Sequence, residues 1–167
     1  GGVDSASTTV QVDNVAPTLT LDGVTAIVED GVATLTGTVD DPGTLDTFTL
    51  DIDWGDGNIE TVTLPASATG SQGFTLTHQY LDDDPTATPS DTYTIDVSVT
   101  DDDTGADSSS ATVQVDNVAP EYDAPLDISA TQEAKAEPGD LVSVSGSFTD
   151  VGTLDTHTVT IDWGDGT

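Results

Sequence analysis

The feature that most constrains the fold of this chain is a long internal repeat. The ten residues TTVQVDNVAP at 8–17 recur at 111–120 with nine positions identical, and GTLDTFTLDIDWGDG at 43–57 recurs at 152–166 with twelve of fifteen identical. The repeat is therefore about a hundred residues long, which is too long for a solenoid unit and matches one small domain. We expect successive copies of a single domain.

The repeat also predicts where the copies begin and end. Residues 1–13 are interpreted as the last strand of a preceding copy, 14–116 as one complete copy, and 117–167 as the first, truncated part of the next copy. The linker DNVAP is short and contains a proline, so it allows little freedom between neighbouring domains. The expected arrangement is a semi-rigid string of domains.

Within the complete copy, apolar residues alternate with polar ones at a period of two, which indicates half-buried strands. Phe48, Leu50, Ile52 and Trp54 form one such series. The other predicted strands lie near 18–22, 32–39, 59–64, 74–80, 93–99 and 108–116. About seven short strands separated by turns rich in Gly, Pro and Asp predict an all-β, immunoglobulin-like sandwich of two sheets.

The chain is strongly acidic, with 32 acidic residues, one basic residue (Lys135) and a net charge of −31. Nucleic acids and anionic membrane surfaces are poor partners, because basic residues bind them, and no segment is apolar enough to insert into a membrane. A compact body with this charge repels itself and needs salt or bound cations. Asp outnumbers Glu by 27 to 5, which favours calcium loops; a halophilic or marine type of surface is the alternative.

Several motifs of the complete copy together resemble the polycystic kidney disease (PKD) repeat. They are WGDG at 54–57, THQY at 77–80, DTYTIDVSVTDDDTG at 91–105 and ATVQV at 111–115. The sequence departs from that family in its acidity and in the insert at 81–90. The resemblance implies tandem immunoglobulin-like sandwiches of extracellular or cell-surface proteins, which in bacteria and archaea belong to large surface proteins or accompany secreted hydrolases.

No arrangement of catalytic residues accompanies the repeat. Trp54 continues an inward series and is expected in the core, and a sandwich offers no cleft for an Asp53–Asp56 carboxylate pair. His78 lies at an inward strand position and is interpreted as a packed structural histidine. His157 has phenylalanine at its equivalent position in the complete copy, so the copies share no histidine role there. We expect a module that is not an enzyme.

Three acidic segments are expected to meet at one end of the sandwich. The topology places the B–C loop (residues 39–47) and the F–G loop (residues 100–107) beside the entering linker. The predicted metal ligands at this pole are Asp13, Asn14, Asp40, Asp41, Asp46, Asp101, Asp102 and Asp103. Neighbouring carboxylates repel unless a cation lies between them, and Ca²⁺ takes carboxylate, amide and carbonyl oxygens. Calcium binding here is similar to that of some bacterial PKD domains.

The same reasoning applies to the next copy, where Asp116, Asn117, Asp150 and Asp155 are the predicted ligands. A further set of acids is expected at the opposite pole, facing the linker of the next domain: Glu29, Asp30, Asp56 and Asp82 to Asp84. Either bridging ions or simple solvation would account for that second set.

The combined features predict a structural tandem-repeat segment of a large extracellular surface protein, such as a stalk, adhesin or filament, rigidified by Ca²⁺ at domain junctions. The expected partners are neighbouring repeats of the same chain, like chains in a filament, or a surface glycan or protein. The alternative is an accessory module that binds polysaccharide or another polymer for a secreted hydrolase. That role needs exposed aromatic residues, and the chain has two Trp, three Tyr and three Phe.

Overall fold

The computed structural model describes residues 1–84, 88–123, 127–130 and 139–164, with the backbone alone described at 127–130. These residues form strands and turns and contain no helix, so there is none among them that could cross a membrane. The predicted all-β class is therefore confirmed. Residues 1–16 are exposed and form no strand, and the interpretation of 1–13 as a strand of a preceding copy stays a prediction.

The described part of the complete copy forms eight strands. In chain order they are β1 (Thr18–Leu21), β2 (Ile27–Val28), β3 (Gly31–Asp40), β4 (Phe48–Asp53), β5 (Ile59–Leu64), β6 (Ser71–Tyr80), β7 (Ser90–Asp101) and β8 (Ala106–Asp116). Seven of them match the strands predicted from the period-two alternation, and the two-residue β2 is additional.

The strands form two sheets, with the orders β2-β8-β7-β4-β5 and β1-β3-β6. Strand β4 pairs antiparallel with both β5 and β7, and β1 pairs antiparallel with β3. The short β2 runs parallel to the end of β8. Buried and accessible residues alternate along β3, β4 and β7, so each strand turns one side to the interior, as expected for an immunoglobulin-like sandwich.

Aliphatic and aromatic side chains at the inward positions make the core. Its most deeply buried members are Leu35, Leu50, Ile52, Trp54, Tyr80, Ile95, Val97, Val99, Val113 and Val115. Each such side chain contributes roughly 1.5–3 kcal/mol when it leaves water. Trp54 is 1% exposed, which confirms its predicted core position, and Gly55 and Gly57 follow it with φ of 82° and 93°, values that favour glycine.

The chain divides into two compact units. The first comprises Gly1–Val24, Thr34–Leu76 and Thr94–Thr112, and the second comprises Thr25–Ala33, Thr77–Tyr93 and Val113–Thr167. The second unit also contains β9 (Glu121–Tyr122) paired with β12 (Phe148–Thr149), and β10 (Asp127–Ala130) paired with β11 (Val142–Ser145). It thus combines residues of the complete copy with the described residues of the next one. The predicted copy boundaries stay predictions, and residues 124–126, 131–138 and 165–167 lie outside the described part.

Candidate cation sites

The first acidic cluster lies in the first unit, and we call it the loop cluster. Asp41, Asp46 and Asp101 each place one carboxylate oxygen within 4.8 Å of the others. Asp41 and Asp101 are 4% and 5% exposed, and Asp46 is half-buried. The structure therefore brings the B–C and F–G loops together, as the topology predicted.

A tight turn positions the two B–C loop members of the loop cluster. The Gly43 N–H donates to Asp41 Oδ1 over 2.6 Å, and the Asp46 N–H donates to the Gly43 carbonyl over 3.1 Å. A Cβ at Gly43 would collide with the Asp46 carboxylate. Gly43 thus lets the Asp46 carboxylate lie directly against the backbone of the turn, and a side chain there would displace that carboxylate.

Asp101 connects the loop cluster to the linker. Its Oδ1 accepts the N–H groups of Asp103 (3.0 Å) and Gly105 (2.7 Å), and its Oδ2 accepts the side-chain amide of Asn14 (2.8 Å). These three donors offset much of its charge. Asp41 Oδ2 is buried and accepts no hydrogen bond from a described residue, so it is the oxygen of this cluster most in need of a cation.

The pKa of Asp46 records the crowding of the acids. Partial burial raises it most, and the charges of Asp41, Asp102, Asp103 and Asp101 raise it further. A raised pKa means that the charged form is disfavoured at this position. A bound cation would reverse that preference, since it favours the carboxylate over the acid.

The other predicted ligands of this pole lie outside the loop cluster. Asp13, Asp40, Asp102 and Asp103 are exposed. Asp102 Oδ1 accepts the Thr47 N–H over 3.1 Å, which fastens the F–G loop to the B–C loop. The convergence of these segments is a feature of the structure, whereas their role as metal ligands stays a prediction.

The second acidic cluster lies in the second unit, and we call it the junction cluster because its members come from two sequence copies. Glu29, Asp82 and Asp83 belong to the complete copy, and Asp155 belongs to the B–C loop of the next copy. One carboxylate oxygen of each lies within 4.8 Å of the others. Glu29, Asp82 and Asp83 are 1%, 3% and 0% exposed, and Asp155 is half-buried.

Glu29 fastens the complete copy to the following linker. Its backbone N–H donates to the Asp116 carbonyl over 3.0 Å, just after the short pairing of β2 with β8. Its Oε1 accepts the Val118 N–H over 2.6 Å. A buried side chain of one copy is thus hydrogen-bonded to the first residues of the next.

The two aspartates of the junction cluster follow β6. Asp82 Oδ1 accepts the Asp83 N–H over 2.9 Å, and the Asp82 carbonyl accepts the Tyr93 hydroxyl over 3.0 Å. Four carboxylate oxygens are buried without a hydrogen bond from any described residue: Glu29 Oε2, Asp82 Oδ2, Asp83 Oδ1 and Asp83 Oδ2. Buried polar groups are nearly always paired in proteins, so this cluster requires an explanation.

The pKa values of two members of the junction cluster, Glu29 and Asp83, are raised, which is the direction that this crowding implies. Burial raises the pKa of Glu29 most; the Val118 hydrogen bond opposes that rise, and the charges of Asp155, Asp150 and Asp83 add to it. Burial likewise raises the pKa of Asp83, followed by the charges of Asp82, Asp155 and Asp91. Both carboxylates are therefore held in surroundings that disfavour their charge.

Three of the four predicted ligands of the next copy, Asn117, Asp150 and Asp155, line one cavity. Asp155 joins the junction cluster, whereas Asp150 Oδ2 lies 2.8 Å from His157 Nε2. The backbone N–H of Asn117 donates to the Pro89 carbonyl over 3.2 Å. The sequence predicted that Glu29, Asp82 and Asp83 face the next linker and left open whether ions bridge them or water solvates them. Their burial depends on long-range packing, which the sequence does not display.

Comparisons of the chain with known proteins found similarity to solved structures. No family model and no curated protein matches it. The structure is similar to the PKD domain of an M14-like peptidase from Thermoplasmatales archaeon SCGC AB-540-F20, with a TM-score of 0.42 and 22% identity, over 60% of this chain and 91% of that one. The sandwich itself is established by the strand order described above, and the similarity is to a domain of the kind that the sequence motifs resemble.

Proposed function

We propose that this chain is a structural tandem-repeat segment of a large extracellular surface protein, such as a stalk, adhesin or filament, whose domains are stiffened by Ca²⁺. The observation that carries the proposal is the loop cluster. Acids from two separate loops converge there, and Asn14 of the linker is bonded to one of them. A cation at this point would hold the linker and both loops together.

Calcium fits the chemistry of the loop cluster better than other common cations. Ca²⁺ takes six to eight oxygen ligands in flexible geometry, whereas Mg²⁺ requires a near-ideal octahedron and keeps several waters. The cluster supplies three carboxylates and can complete the shell with carbonyl oxygens and water. The resemblance to PKD repeats and the net charge of −31 support an extracellular location, where calcium is available to neutralise the acidic residues.

The described residues favour a structural role over an enzymatic one. His157 contacts Asp150, and the ring of His78 packs edge-on against Tyr80 with centroids 4.9 Å apart. Both side chains thus have structural partners, in keeping with the absence of a catalytic sequence motif.

The aromatic residues of the complete copy favour a structural role over polymer binding. In the complete copy, Phe48, Trp54, Phe74 and Tyr80 are all at least nine-tenths buried. A sugar-binding face needs aromatic rings that are open to solvent. Tyr93 is half-buried, so the described residues of the complete copy present no fully exposed aromatic ring. In the next copy, by contrast, Tyr122, Phe148 and Trp163 are 73%, 39% and 51% exposed.

Calcium titration of the chain by calorimetry, together with thermal unfolding, tests the proposal. We expect Ca²⁺ to raise the melting temperature and excess chelator to lower it. Asp41→Asn and Asp46→Asn should weaken this response. Asp96→Asn is the matched control, because Asp96 is exposed on β7 outside both clusters and removes the same charge. A melting temperature that is insensitive to Ca²⁺ would overturn the calcium part of the proposal.

A further inference from the structure

We propose that the junction cluster of Glu29, Asp82, Asp83 and Asp155 is a second calcium site, assembled from two successive copies, that locks each domain to the one after it. The proposal rests on the tandem-repeat function proposed above, but it does not require the loop cluster to bind calcium. Its partner is the next copy of the same sequence, which supplies Asp155. The complete copy alone supplies three of the four acids.

The burial of the donors carries the proposal beyond a mere group of acids. Three carboxylates that are at least 97% buried converge, and four of their oxygens receive no hydrogen bond from a described residue. In an ordinary acidic patch on the protein surface, water would solvate the carboxylate oxygens. The four oxygens are buried, and one carboxylate oxygen of each cluster member lies within 4.8 Å of the others. A desolvated cation requires buried oxygen donors that converge in this way.

The backbone around the junction cluster is shaped to leave that space open. A Cβ at Gly152 would collide with Glu29 Oε2 and lie 2.8 Å from Asp155 Oδ2. Carboxylates from two copies therefore meet over a residue that has no side chain. The equivalent residue of the complete copy is Gly43, which lies against Asp46 in the same way.

The choice of calcium follows from charge and from the number of donors. Four carboxylates carry a formal charge of −4 when ionised, and the chain has one basic side chain, Lys135, to set against 32 acids. Lys135 lies outside the described residues. A divalent ion with a high coordination number satisfies several carboxylates at once, whereas Mg²⁺ would keep waters for which a buried cluster leaves little room.

Calorimetric titration of the whole chain with Ca²⁺ measures the number of sites. We expect two classes of site in the parent chain, and the loss of one class in Asp83→Asn and in Asp155→Asn. Changing a group that only orients a metal ligand weakens binding roughly 10–100-fold, so removal of a direct ligand should weaken it at least as much. Asp123→Asn is the matched control, because Asp123 is exposed in the same unit.

A second measurement separates a calcium site from a merely structural role. Because Asp83 is buried among like charges, Asp83→Asn should raise the melting temperature in chelator and abolish the gain produced by Ca²⁺. A residue needed only for packing would lower the melting temperature in both conditions. Hydrogen exchange at the Val118 amide adds a local measure, since that N–H is bonded to Glu29; Ca²⁺ should slow exchange there in the parent and not in Asp83→Asn.

The outcomes distinguish this proposal from the function proposed above. If Asp46→Asn removes one calcium class while Asp83→Asn and Asp155→Asn remove none, the loop cluster binds calcium and the junction proposal is wrong. If the two junction variants each remove a class of calcium site and Asp46→Asn does not, the junction cluster binds calcium and the calcium part of the proposed function is wrong for the loop cluster.

Discussion

The loop cluster and the junction cluster are built on the same loop and differ in what surrounds it. Asp46 and Asp155 occupy equivalent positions in the repeated GTLD segment, and each donates its N–H to the glycine three residues before it, over 3.1 and 3.3 Å. Asp46 meets acids of its own copy, whereas Asp155 meets acids of the preceding one. The same turn therefore contributes an aspartate to a cluster within its own copy in one case and to a cluster with the preceding copy in the other.

The two clusters also differ in how much of their charge the protein itself offsets. Asp101 of the loop cluster accepts three hydrogen bonds, and one buried oxygen of that cluster is left without a described donor. The junction cluster leaves four. An uncompensated buried charge costs about 3–5 kcal/mol when its partner is removed. The junction cluster therefore has the greater need for a cation.

The equivalence of Asp46 and Asp155 has a consequence for a domain with copies on both sides. Its B–C aspartate would face the acids of its own F–G loop and also the Glu29, Asp82 and Asp83 equivalents of the preceding domain. We expect that aspartate to bridge two neighbouring cations in such an array. A carboxylate has two oxygens and can bind calcium through one of them, so one side chain can place one oxygen on each of two ions.

Removal of calcium should produce the largest effect. At a free Ca²⁺ concentration 100 times Kd, each occupied site adds about 2.7 kcal/mol to stability. Excess chelator should therefore lower the melting temperature by several degrees, since about 1 kcal/mol shifts it by 2–4 °C in a chain of this size. Hydrogen exchange resolves the comparison: we expect chelator to deprotect the amides of residues 113–123 more than those of β4.

A glycine-to-alanine pair should have the next largest effect and tests the shared loop directly. Gly152→Ala places a methyl group against Glu29 and Asp155, whereas Gly43→Ala places one against Asp46 alone. Each should weaken calcium binding at its own cluster by about tenfold, or 1.4 kcal/mol, as the carboxylates move apart. Calorimetry of both variants is the measurement. Equal losses at both clusters from either variant would show that the two are not separate sites.

The fold and one of the two clusters were predictable from the sequence, for physical reasons. Strand alternation and the inward series ending at Trp54 depend on local periodicity, which the sequence displays. The approach of Asp41 to Asp101 follows from the sandwich topology alone. Burial of Glu29, Asp82 and Asp83 is a different matter, since it depends on long-range packing in the second unit. The sequence therefore predicted their pole without predicting their cluster.

The pH dependence of stability should change sign with calcium, and this effect is smaller. The pKa values of Glu29 and Asp83 are raised in the folded chain. Without calcium, at a pH above the ordinary pKa of these groups, the folded state therefore holds more protons than the unfolded state. Stability should then fall as pH rises through the raised values. Saturating Ca²⁺ competes with those protons, so stability should instead fall as pH is lowered.

Thermal unfolding in chelator and in calcium, between about pH 4 and pH 8, checks this change of sign. Asp82, Asp91, Asp150 and Asp155 also act on these two groups, so the measured slope belongs to the whole set. Asp83→Asn should flatten the slope in chelator, whereas Asp123→Asn should leave it nearly unchanged. Asp46 of the loop cluster also has a raised pKa, so the variant decides the point: an effect of calcium on the slope that is the same in Asp83→Asn as in the parent would exclude cation binding at the junction cluster.

The smallest expected effect is a difference in stability between substitutions in the two linkers. Asn14 and Asn117 are equivalent in the repeated DNVAP segment. Of these two, only Asn14 donates its side-chain amide to an aspartate among the described residues, over 2.8 Å to Asp101. Asn14→Ala should therefore cost about 1 kcal/mol, as for a typical intramolecular hydrogen bond, while Asn117→Ala should cost much less. Denaturant unfolding of both variants in calcium measures the difference. Similar losses would mean that Asn117 also contributes to a site, and that the two linkers are held in the same way.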